Sequence, residues 1–198
     1  MSDSAISAWK RLLFSKTMLE KNKSHKIAYI AIMAALCIVS NMFEFKLADT
    51  QFSLTLAISA LTGLIIGPLF GFVACFIGDL VGFFYHSSGF AYMPFIGISM
   101  GLTAFLFGVV FNGISIKNKL GWAIKIIIAS VASFLLYTVL INTTAFWLLY
   151  APKTPYFTYL VSRLFLKGQI WSSLFNYGLL FVILPAVNKV KALKIDIS

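Results

Sequence analysis

Apolar residues run along this chain in long blocks, interrupted only at short polar or Gly/Pro positions. A bilayer's hydrocarbon core is ~30 Å thick and about 20 apolar residues in a helix cross it, so each block predicts a membrane span. The first covers about 27–43. The run 52–85 is too long for a single crossing, and Gly67-Pro68 divides it, because proline lacks a backbone donor and fixes φ. Spans at about 52–66 and 68–85 result, with a short charged loop, 44–51, ahead of them. The turn at His86, Ser87, Ser88 and Gly89 precedes a fourth span at about 92–112. Lys117, Asn118 and Lys119 mark a loop before a long fifth span, about 121–150. Pro152 and Pro155 bracket the next loop, and a sixth span runs to about Val187. The expected architecture is an all-α membrane protein. It is a six-transmembrane-helix bundle over residues 27–188, with a basic tail at 1–26 and a second at 189–198.

Composition agrees: 60% of residues are hydrophobic and 11% charged, which leaves no room for an attached soluble domain. Sixteen Lys and Arg against six Asp and Glu give a net charge of +10, a value that would suit a nucleic-acid binder. The distribution argues against one. Most basic residues lie in the two tails and the 117–119 loop, which an even number of spans places on one side. The positive-inside rule makes that side cytoplasmic, with both termini inside and the loops at 44–51, 86–91 and 151–157 outside. In the first tail no cleavable signal is evident. Ile6, Trp9, Leu13 and Phe14 alternate with Lys10, Arg11 and Lys16, as in an amphipathic helix on the inner membrane surface or a disordered basic tail. Small residues recur every four positions at Gly63, Gly67 and Gly71, at Gly78 and Gly82, and at Gly97 and Gly101, where they suit close helix packing. Ala28, Ala31, Ala34 and Ala35 form a similar stripe on the first span, open to the bundle or to another membrane protein.

The candidate chemistry is sparse and clustered. Arg163 and Lys167 interrupt an apolar stretch, where a charge costs at least ~2.5–3.5 kcal/mol to insert and marks a functional site by default. At spacing i, i+4 both would project from one helical face as a clamp for an anion, or snorkel to the headgroups. Asp79 lies at similar depth and could pair with Arg163, leaving one positive charge for a ligand. Asn142, Thr143 and Thr144, then Gln169, Ser172, Ser173 and Asn176, supply polar groups. Trp147, Tyr150, Tyr156, Tyr159 and Trp171 supply aromatic walls or an interfacial belt. His86, seven residues beyond Asp79, joins the candidate set. Together these suit a planar, negatively charged small molecule. The chain carries no phosphate-binding GxxxxGK[ST] loop, no HExxH and no Cys/His cluster, so no metal or other cofactor is expected. Asp79 with His86 makes only a weak catalytic pair, which argues against an enzyme.

At the level of motifs, residues 24–188 resemble the substrate-binding S components of energy-coupling factor (ECF) vitamin transporters, most closely the folate-type branch. The resemblance rests on the alanine-spaced KIAYIAIMAAL (26–36), GLIIGPLFGF (63–72), GDLVG (78–82), PFIGISMGL (94–102), NTT (142–144) and RLFLK (163–167). It implies a six-helix fold with a vitamin site near the outer face, in a bacterial plasma membrane. It also implies partners, namely a transmembrane coupling subunit that meets Ala31 and Ala35 and two ATPase subunits that supply energy while the S component topples. Arg163 and Lys167 match the basic pair of the folate-type last helix. Residues 48–55 depart from the folate-type pattern, which leaves pantothenate, a cobalamin-like molecule or another anionic vitamin open. A non-transporting membrane scaffold is the alternative from a different class.

Overall fold

A computed structural model describes Lys10 and residues 13–42, 44–47, 50–85, 91–113 and 120–188; His86, the loop 117–119 and the C-terminal tail lie outside them. The described residues are almost wholly helical. Helix α1 (Lys16–Glu20) is a short piece whose N-cap, Ser15, accepts from the Met18 amide at 3.2 Å. Helix α2 (Lys23–Met42) is followed by an antiparallel hairpin, β1 (Glu44–Leu47) and β2 (Thr50–Ser53), with Glu44 opposite Ser53. The stretch 44–51 was expected as a loop in an all-α chain. The alternation of Glu44, Phe45, Lys46 and Leu47 has the two-residue period of a strand, and the hairpin expresses it.

Next come α3 (Thr55–Ile66), α4 (Pro68–Tyr85), α5 (Pro94–Gly113) and α6 (Gly121–Tyr150). Helix α7 (Tyr156–Val161) runs into a π-helical turn, Ser162–Leu166, and α8 (Gln169–Asn188) ends the described chain. Among the described residues five helices are long and apolar enough to cross a membrane: α2, α4, α5, α6 and α8. Helix α3, at 12 residues, is ~18 Å long, short of the ~30 Å hydrocarbon layer.

That short helix is enclosed by its neighbours, and both of its ends are satisfied from far away in sequence. Leu54 stands at its N-cap and has no capping side chain. Instead Asn176 Oδ1, on α8, accepts from the Ala57 amide at 3.1 Å, while Asn176 Nδ2 donates to the Ser53 carbonyl at 2.7 Å. At the other end Gly67 turns the chain at φ 88, and Ser15 Oγ donates to the Ile65 carbonyl at 2.7 Å. Free helix-end groups have no water to turn to in a bilayer, so these side chains replace it. Phe14 packs on Phe70, with ring centroids 5.3 Å apart, and Met18 is buried. The N-terminal stretch thus reaches the core at Ser15 and Met18.

Two departures from regular helix shape the rest. Residues Phe134–Asn142 of α6 form a π-helical stretch, a wider turn that recurs at functional sites. The sixth apolar block, expected as one helix, is broken: Lys167 ends the first piece and Gly168 takes φ 67, the left-handed conformation that stops a helix. Arg163 and Lys167 therefore do not share a continuous helical face. The core is centred on Ile66, Phe107, Ile126, Leu180 and Leu184. Its tightest seam is at Gly63, where any Cβ would overlap the Ala104 backbone of α5.

Candidate ligand-binding site

A cavity of about 320 Å³ opens between the hairpin end, α4, α5, the π-helical stretch of α6 and the α7–α8 junction. Each wall brings a polar group. Asp79 and Gly82 come from α4, Ser99 and Thr103 from α5, and Tyr137, Thr138 and Asn142 from the π-helical stretch. Arg163 comes from the second π turn, Gln169 and Ser172 from the start of α8, and Asn41 from the end of α2. The mixture of amides, hydroxyls, one acid and one base, with Phe83 and Phe146 beside them, suits a planar ligand with several polar atoms.

Arg163 is held by stacking. Its guanidinium carbon lies 4.1 Å from the centroid of Phe146, a cation–π contact. Its Nε is buried without a hydrogen-bond partner, and so is Nδ2 of Asn41. A buried donor left unmade costs ~1–3 kcal/mol, more when charged, so a ligand that offers acceptors to these two recovers that cost. Asp79 is 9% exposed and accepts from the Tyr92 hydroxyl at 3.0 Å. Tyr92 stands just ahead of α5; burial, reinforced by the Asp79 carboxylate, pushes its phenol well up, so it stays a donor. Gly97 makes room for the pair, since a Cβ there would come within 2.8 Å of both Asp79 Oδ2 and the Tyr92 hydroxyl. Ser99 Oγ donates to Asn142 Oδ1 at 2.8 Å, tying α5 to the π-helical wall.

The structure separates the residues marked by the sequence. Arg163, Asp79 and Asn142 line the cavity. Thr143 is buried behind it, its Oγ1 donating to the Thr138 carbonyl five residues back at 2.8 Å. Trp147 pins the following loop, with Nε1 donating to the Thr154 carbonyl at 2.8 Å. Lys167 is exposed, its ammonium 5.9 Å from the Tyr159 ring, and Trp171 faces away from the bundle at 57% exposure. His86 lies outside the described residues. Ala31 and Ala35 are exposed on α2, while Met33 and Cys37 of the same helix are buried. Asn41, Ser99, Tyr137 and Phe146 line the cavity and were not anticipated. Their one signal was polarity within apolar blocks, and Phe146 gave none. Among the described residues no group of three or more His, Cys, Asp or Glu could hold a metal ion.

Comparison with known proteins adds three findings. The sequence model of one family, described as "ECF-type riboflavin transporter, S component", matches residues 21–189. No curated protein matches the chain. A solved structure, titled "Crystal structure of FolT bound with folic acid", has a similar fold, with a TM-score of 0.60 at 21% identity, covering 80% of this chain and 93% of that one.

Proposed function

The chain belongs to the ECF-type riboflavin transporter S component family, and from that membership we propose that it is the vitamin-capture subunit of an importer whose vitamin is folate. The observation that carries the choice of vitamin is Arg163. A guanidinium stacked on Phe146, with a buried unpartnered Nε at the cavity wall, calls for an anionic acceptor. Folate offers carboxylates at one end and a flat, N–H-bearing ring at the other, the latter suited to Asp79 and the aromatic walls. The folate-bound protein of similar fold supports the same choice.

Energy comes from outside this chain, which carries no phosphate-binding loop of its own. The exposed Ala31 and Ala35 give α2 a smooth face on which a transmembrane coupling subunit packs closely, with two ATPase subunits behind it. Six crossings, with α3 as the short one, put both termini in the cytoplasm of a bacterial cell and the cavity toward the outside.

Riboflavin is the second reading. The family description names it, and the neutral hydroxyls and amides of Ser99, Thr103, Thr138 and Asn142 suit a polyol. Mass spectrometry of small molecules released from the purified chain decides between them. Folate, with affinity that collapses in Arg163→Ala, supports the proposal. Riboflavin bound equally by wild type and Arg163→Ala overturns the choice of folate and keeps the transport role. An empty protein with no thermal shift against any vitamin removes the capture role and leaves a membrane scaffold.

A further inference from the structure

Lys167 and Trp171 stand outside the cavity; Trp171 lines a different feature, and Lys167 lies just ahead of the same helix. A groove of about 480 Å³ runs along an exposed side of α8, lined by Phe52, Trp171, Leu174, Phe175, Gly178, Leu179 and Val182. Its walls are almost wholly apolar. Phe52 flanks it, edge-on to Phe175 with centroids 5.6 Å apart. Gly178 forms a notch, since a Cβ there would meet nothing within 4 Å. The groove is open space, not a packed seam.

Its length matches an acyl chain. Val182 lies eleven residues beyond Trp171, a distance of ~16 Å along the helix. One leaflet contributes about half of the ~30 Å hydrocarbon core, or roughly 15 Å. The lining therefore runs about the length of one acyl chain. At its rim stand an exposed indole, the ring type that settles at the membrane interface, and beyond the Gly168 break an exposed ammonium on a long stem that reaches headgroups. We propose that the α8 groove holds one acyl chain of an anionic phospholipid whose phosphate is met by Lys167. The site does not depend on which vitamin fills the cavity.

The test uses the full chain in phosphatidylcholine vesicles with phosphatidylglycerol as a minority lipid. Bromine is placed on the acyl chains of one lipid or the other, where it quenches indole fluorescence on contact. The signal of Trp171 is the difference between wild type and Trp171→Phe. Brominated phosphatidylglycerol is expected to quench Trp171 about fivefold more effectively, mole for mole, than brominated phosphatidylcholine, the factor one lysine near the surface supplies. Lys167→Gln should remove that preference and leave the quenching. Gly178→Leu should fill the notch and reduce quenching by both lipids, with vitamin binding retained as proof of folding. Equal quenching by both headgroups, unchanged by Gly178→Leu, means a general lipid shell and overturns the proposal. So does a Trp171 shielded from both lipids in chains that cross-link through Gly178→Cys, because a second copy then fills the groove.

Discussion

The α2–α5 half of the bundle and the α6–α8 half hold their helices together by different means. In the first, small residues bring backbones into contact: Gly63 abuts the Ala104 backbone, and a Cβ on Gly82 would come within 2.8 Å of Asn41 Cβ. The second is tied to the first, and α6 to α8, by hydroxyls and amides: Ser99 of α5 bonds Asn142 of α6, and Ser133 of α6 is shared by Thr103 of α5 at 3.1 Å and Tyr177 of α8 at 3.0 Å. Lipid gives helices no hydrophobic reason to associate, so close backbone approach and interhelical hydrogen bonds are the available alternatives. The first choice makes a seam with no slack. The second leaves space, and both π-helical turns occur there. The cavity lies along the junction, with Asp79 fixed on the close-packed wall and Arg163 on the wall built from wider turns. One wall is fixed by backbone contact and carries the acid, and the other carries the cation.

The same substitution on either side of this divide should give opposite results. Gly63→Leu forces a side chain into the Ala104 backbone, and overpacking of that kind costs ~3 kcal/mol or more where nothing can yield. Gly178→Leu enters open space and should stay within ~0.5 kcal/mol of wild type. Thermal unfolding in detergent, read by loss of helical circular dichroism, compares them directly. Equal melting temperatures would mean that the glycine seam is not what makes the first half rigid.

The next largest effect separates two basic residues four positions apart. Arg163→Ala removes a charged donor from the cavity and should weaken vitamin binding roughly ten- to hundredfold, as loss of a charge-assisted hydrogen bond does. Lys167→Ala removes an exposed charge and should change affinity less than about twofold. Titration calorimetry on both variants measures the difference. If Lys167→Ala is the more damaging, the ligand extends beyond the cavity wall at Arg163 to the exposed end of that helical piece.

That pair shows where the sequence could be read and where it could not. A charge inside an apolar block is visible in one dimension, so Arg163 and Asp79 stand out without coordinates, and both line the cavity. The expectation that Lys167 points the same way as Arg163 assumed an unbroken helix. The π geometry of Ser162–Leu166, and the end of the helix at Lys167, change the register on which the i, i+4 rule depends. The Gly67-Pro68 break was legible for the same reason, since turn residues announce themselves locally. The caps of α3 were not. Ser15 and Asn176 meet that helix from 50 residues before Ile65 and 119 residues after Ala57, and no local pattern encodes such a pairing. The strand period of 44–47 was present but hidden behind its charges.

The smallest expected effect tests whether the wider turns are themselves part of the design. Thr143 was marked as a ligand contact, yet its hydroxyl is spent on the Thr138 carbonyl and it is fully buried. That bond spans five residues, the separation a π turn requires, and it fixes the stretch that presents Thr138 and Asn142 to the cavity. Thr143→Ala should therefore cost about 1 kcal/mol of stability in the empty protein, the net value of one hydrogen bond. Affinity should fall only a few-fold, because no ligand contact is lost. Thr143→Ser keeps the hydroxyl and should restore both. If Thr143→Ala leaves the melting temperature unchanged but abolishes binding, the hydroxyl touches the vitamin directly. The α6 wall would then be a set of contacts and not an adjustable support.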